Sequence, residues 1–145
     1  MEDFEAVYQE RMLDTEMLYQ QERYIAAMHF GGISIECLLK AMIVDFHHLT
    51  EWKTDSTHPG HTIHNPGHDL IKAIRTINQL WSNVQRNPQV LTWLNQVEYP
   101  FIEHYIDLRY LGNEPDEKRH KEWFEAYTKL KIWLVKQSTF LGKLK

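Results

Sequence analysis

A single cysteine, Cys37, stands in a chain of 145 residues, so no disulfide framework can form within it. Strand signals are missing as well. No alternating run of β-branched residues occurs, and neither Asn-Gly nor Asp-Gly is present to turn a hairpin. Positive charge is not in excess: a formal net charge of −4 argues against a general electrostatic grip on nucleic acid, while leaving room for a local basic site. The acidic start MEDFEAVYQERM carries no apolar run of signal-peptide type. No stretch reaches the roughly 20 apolar residues of a bilayer span, and the longest, 24–46, is interrupted by Glu36 and Lys40. A cytoplasmic protein that uses no membrane is expected. A Gly-rich phosphate loop, an HExxH motif, a nucleophile elbow and a paired-carboxylate site are all absent, and no cofactor is expected.

What the chain does have is helical period. Apolar residues make up 43% of it and charged residues 25%, ordinary values for one soluble domain spanning 1–145. The first helix is read over about 3–21, with Phe4, Tyr8 and Met12 on one stripe, and the second from about Arg23 to His48. The third is expected to open at Pro66, capped by Asn65, and to bury Leu70, Ile74, Ile77 and Trp81. The fourth begins at Asn87-Pro88 and runs towards Leu111, kinked or split at Pro100. Gly112-Asn113 ends it, and Pro115 starts a last helix with a seam of Trp123, Tyr127, Leu130, Leu134 and Leu141. The expected fold is all-α, an antiparallel up-and-down bundle of four to five helices.

Residues 24–43, YIAAMHFGGISIECLLKAMI, are the most informative segment. Ala26, Phe30, Ile33, Cys37, Ala41 and Val44 recur at steps of three and four and are read as the buried face, which makes Cys37 a small buried hydrophobe. His29, Gly32, Glu36 and Lys40 form a neighbouring stripe. Gly31 and Gly32 fall mid-helix, where each costs about 1 kcal/mol relative to alanine. Two in a row imply that another group approaches the helix closely there.

The segment Ile35-Glu36-Cys37-Leu38-Leu39-Lys40-Ala41 resembles the second helix of HEPN domains (higher eukaryote and prokaryote nucleotide-binding). Gly67-His68-Asp69-Leu70 and Leu108-Arg109-Tyr110 follow in the order that family shows, so the resemblance spans most of the chain. It implies a nucleotide- or RNA-associated helical module, usually homodimeric. Such modules often work beside a nucleotidyltransferase-type protein partner, and many belong to toxin–antitoxin, stress or defence systems. Active members are metal-independent endoribonucleases whose site forms at the dimer interface. Their signature is an arginine, four to six residues and a histidine near the start of the last long helix.

Here Arg109 leads at that spacing to Pro115 or Asp116, and the next histidine, His120, follows ten intervening residues. The chain thus resembles the branch without the full signature, which implies a non-catalytic or weakly catalytic module with Glu36, His68, Arg109 and Tyr110 lining a groove. Arg109 would hold a phosphate bidentately and Tyr105 or Tyr110 would stack on a base. In the plainer reading, Arg109 caps carbonyls or pairs with Glu36, and Glu36 forms a buried ion pair with Arg109, Lys40 or His68. Two alternatives stand beside the module: an active ribonuclease using Arg109 and His120 or His68, and a scaffold that binds no nucleotide. Arg23 and His29 also have the signature's spacing, but they lie in the second helix, and the match is read as coincidental.

His58, His61, His64 and His68 recur every three or four residues, a weak metal-ligand pattern because Pro59, Gly60, Pro66 and Gly67 interrupt it. No metal site is therefore expected. Finally, 128–145 holds Lys129, Lys131, Lys136, Lys143 and Lys145 and no acidic residue. Cations suit a helix C-terminus, and the same stretch offers a docking surface for an acidic partner or RNA.

Overall fold

The computed structural model describes residues 1–53, 63–101 and 103–143. Every regular element among them is helical: α1 Phe4–Gln20, α2 Tyr24–His47, α3 Leu70–Arg75, α4 Asn78–Gln85, α5 Pro88–Glu98, a 3₁₀ helix Tyr105–Tyr110, and α6 Glu117–Lys143. Seven helices are thus described where four to five were expected. Two breaks account for the difference. Ile77 takes extended angles (φ −113°, ψ 103°) and divides the expected third helix into α3 and α4. Pro100 ends α5 at Glu98, and the chain resumes as the 3₁₀ helix.

The start of α3 also differs from the reading. Gly67 has φ +66°, a left-handed angle that no α-helical turn accepts, so Pro66 cannot open the helix. Asn65 instead accepts from the Gly67 N–H at 2.9 Å, and Asp69 becomes the cap, accepting from the Lys72 N–H at 2.9 Å. Similarly, α6 begins at Glu117 and not at Pro115, with the Asp116 carboxylate on the Arg119 N–H at 2.8 Å.

α1 and α2 pack along each other as an antiparallel pair joined by a short turn, and α5 packs against α6. α2 is the central element. Its buried residues include Ile25, Ala27, Met28, Ile35, Leu38, Leu39, Met42 and Ile43, which lie around most of its circumference. The stripe read as its buried face is the less enclosed one: Ala26, Phe30, Ile33, Ala41 and Val44 are only half-buried, and Cys37 alone of that set is buried. A helix surrounded by α1, α3, α5, α6 and the 3₁₀ helix has no single wet side, so period alone could not assign its faces. By length and apolarity α2 also matches a bilayer span, and most of it is covered by the rest of the protein.

The two glycines explain how α2 can be surrounded. A Cβ at Gly31 would lie 2.6 Å from the Trp123 ring, and one at Gly32 would collide with the ring of Tyr105. Both aromatic residues are almost wholly buried. The close approach expected from Gly31-Gly32 is therefore made by two aromatic side chains, one from α6 and one from the 3₁₀ helix.

Candidate functional site

Glu36 is the centre of a buried polar node. Its side chain is 10% exposed and accepts from Lys40 Nζ at 2.9 Å, His68 Nδ1 at 2.6 Å and the Tyr105 hydroxyl at 2.5 Å. Burial alone would raise the Glu36 carboxyl, but the bonds from Lys40, Tyr105 and His68 outweigh it and hold the group below its ordinary value. Tyr105, fully buried and beside that charge, is pushed strongly up and stays a neutral donor. Because the carboxylate can only accept, His68 donates through Nδ1, and its ring is otherwise half in solvent.

A second carboxylate–histidine couple adjoins the first. Glu98 accepts from the Leu70 N–H at 3.1 Å and so helps to start α3. His104 Nε2 lies 3.2 Å from Glu98 and 2.9 Å from the His68 carbonyl, two acceptors, so Nε2 carries the proton. Nδ1 is then free to accept from the Ile106 N–H at 3.2 Å, capping the 3₁₀ helix. Desolvation raises the Glu98 carboxyl, helped by the charge of Asp69 and opposed by the Leu70 N–H and His104. Together the two couples tie α2, α3, α5 and the 3₁₀ helix into one polar seam. Glu36, Lys40, His68, Glu98, His104 and Tyr105 are not among the residues that line the cleft described next.

The cleft lies elsewhere, at the N-terminus of α2. It measures about 560 Å³ and is lined by Arg23, His29, Arg109 and Glu114 among apolar walls that include Phe30 and Leu108. Arg23 sits at the cap position of α2 but makes no side-chain cap bond; Glu114 takes that part, accepting from the Ile25 N–H at 3.0 Å. His29 Nδ1 is 2.8 Å from the Tyr105 carbonyl and must donate to it, which leaves Nε2 as the second nitrogen of a ring on the cleft wall. Two guanidinium groups, an imidazole and the positive end of a 24-residue helix thus share one opening, with a single carboxylate among them.

The residues read as one groove therefore divide. Glu36 and His68 are bonded in the buried node. Arg109 stands exposed in the cleft, with its guanidinium 5.0 Å from the ring of Tyr110 next to it. Glu36 pairs with Lys40 and His68, two of its three expected partners, and is not among the residues lining the cleft that holds Arg109. Tyr105 cannot stack on a ligand, because it is enclosed beneath α2, whereas Tyr110 is 76% exposed.

His120 is 8% exposed, stacked on Tyr24 at 3.7 Å and hydrogen-bonded to Tyr19 at 2.9 Å. It sits among aromatic rings and does not line the cleft. Cys37 is buried, and burial together with the charge of Glu36 pushes its thiol up to about 11, so it remains a neutral thiol. His64 is exposed, and His58 and His61 lie outside the described residues. Among the described residues, no three His, Cys, Asp or Glu side chains are grouped as a metal site.

Sequence reasoning missed Glu98, His104 and Glu114, whose roles depend on tertiary neighbours. It also set aside Arg23 and His29, although their spacing was visible. Comparison of the chain with protein-family models, with curated proteins and with solved structures found no match.

Proposed function

We propose that this protein is a nucleotide- or RNA-associated helical module of HEPN type that holds a phosphate in the Arg23–His29–Arg109 cleft. The observation that carries this reading is the convergence of two arginines and a histidine on the N-terminus of α2. Arginine forks match phosphate oxygens bidentately, and helix N-termini favour anions. Glu114 already places a carboxylate on the Ile25 N–H, a position that a ligand phosphate would contest. Tyr110, exposed beside Arg109, offers a ring for a base. In this reading the Glu36 node positions helices and takes no part in chemistry.

A second reading, metal-independent RNA cleavage, is favoured by the hydrogen bond of His29. An imidazole whose Nδ1–H is held by a carbonyl presents Nε2 as a base, and Arg23 precedes it by the interval of the ribonuclease signature. Both readings are tested together with chelator-treated protein and fluorescent single-stranded RNA. Arg109→Ala and Arg23→Ala should keep the parental melting temperature and lose most of the binding; unchanged binding would overturn the cleft. His29→Asn keeps a donor for the Tyr105 carbonyl but removes the base. Cleavage by the parent that disappears in this variant would make the protein a nuclease, and absence of cleavage in both would leave a binding module.

A further inference from the structure

The lysine-bearing part of α6 has a surface that the cleft does not use. Trp93 of α5 and Lys129, Ile132, Trp133 and Lys136 of α6 line a shallow groove of about 320 Å³. No carboxylate lines it. Ile132 is 49% exposed, and Phe140 extends the same helix side at 47%. The ammonium of Lys129 stands 6.0 Å from the centroid of Trp93, so a face of that indole is turned towards the groove and a cation. Lys129 is also paired with Glu125 at 2.6 Å, outside the groove lining. Two half-buried indoles thus meet two cations on one surface of an acidic chain.

We infer that this groove docks single-stranded nucleic acid, with bases stacked on Trp93 and Trp133 and phosphates near Lys129 and Lys136. The charge decides between occupants. A second copy packed α6 against α6 about a two-fold axis would set these lysines against their own counterparts, so like charges would meet. A nucleic-acid strand supplies negative charge together with flat rings, and aromatic platforms beside cations accept any base. The groove lies on α5 and α6, whereas the cleft is built from α2, the 3₁₀ helix and the segment before α6. The two surfaces can therefore be tested separately.

The experiment is fluorescence anisotropy of the full chain with a labelled single-stranded 12-nucleotide RNA, followed by the same titration for Trp133→Leu, Trp93→Leu and Lys136→Gln. Leucine preserves apolar packing and removes the stacking face. Each Trp variant should weaken binding roughly 5- to 150-fold, and Lys136→Gln should flatten the dependence of log affinity on log salt by about 0.7. Circular dichroism melts confirm that each variant folds. Binding that is lost in Arg109→Ala but indifferent to all three groove variants would overturn the groove and keep the cleft. The converse would keep the groove and overturn the cleft. Binding of an acidic amphipathic peptide that the Trp variants lose while RNA affinity stays unchanged, or sedimentation in which the Trp variants abolish self-association without changing RNA affinity, would assign the groove to a protein partner and overturn the inference.

Discussion

Replacing Glu36 by leucine should cost about 3–5 kcal/mol, the usual penalty for breaking a buried pair from one side. The structure says why the penalty is at the full scale. Lys40 is 6% exposed and would lose the carboxylate it pairs with, and the fully buried Tyr105 hydroxyl would keep only the His68 carbonyl at 3.2 Å. His68 can turn to solvent and adds little. At about 3 °C per kcal/mol for a chain of this size, the melting temperature should fall by about 10–15 °C. Urea titration followed by circular dichroism measures the same loss directly, and the slope should not change. A triple variant, Glu36→Leu with Lys40→Met and Tyr105→Phe, also removes the two buried donors that Glu36 accepted from and should recover most of the loss, because an apolar replacement of a whole buried network is often close to neutral. The reasoning fails if Glu36→Leu lies within about 1 kcal/mol of the parent, or if the triple variant is no more stable than the single one.

Gly32→Ala should destabilise by about 3 kcal/mol or more, since the added methyl overlaps a Tyr105 ring that its bond to Glu36 prevents from moving. Gly112→Ala, with nothing within 4 Å of the new methyl, should stay within about 0.5 kcal/mol; thermal melts compare them. The two buried carboxylates should act on stability with opposite signs. Glu36 sits below the ordinary value of 4.5, so its contribution is complete above that pH and is lost as pH falls through the lowered value. Glu98 sits above 4.5, so its contribution is complete below that pH and fades as pH rises through the raised value. Urea midpoints measured across the acid range should accordingly show Glu36→Gln flattening the acid limb, and Glu98→Gln flattening the decline just above it. Glu114→Gln should tighten binding of inorganic phosphate or RNA at the cleft, by removing a competing charge, at a cost of a few tenths of a kcal/mol in stability. Calorimetric titration checks the first effect and melting the second.

The helices were legible where local chemistry governs them. Asn87-Pro88 opened α5, Pro100 closed it, and the Trp123–Leu141 seam of α6 is buried as its spacing required. Cues of the same kind failed where one residue overruled its neighbours. Asn65-Pro66 looks like a helix start until Gly67 takes a left-handed angle that only the folded chain fixes. The faces of α2 were illegible for another reason: period distinguishes wet from dry only when one side is wet. The glycine pair was the sharper signal, since it announced a close approach, yet it could not name Tyr105 or Trp123, which lie far away in sequence. Glu36 could be placed in a buried pair from its type and setting. That Arg109 would join Arg23 and His29, and not Glu36, depended on where the 3₁₀ helix meets α2, and no local pattern encodes that meeting.

The first turn of the central helix is finished by a carboxylate 89 residues further along the chain. A segment ending before that carboxylate would have to start α2 without it, and its opening turn should fray. In the intact protein, the Ile25 amide is sheltered by the Glu114 carboxylate. Its rate of exchange with deuterated solvent then reports how well the Glu114 carboxylate holds that turn. A phosphate ligand that evicts Glu114 would leave that amide protected under new ownership. The same proton thus reports both the resting lock and its replacement.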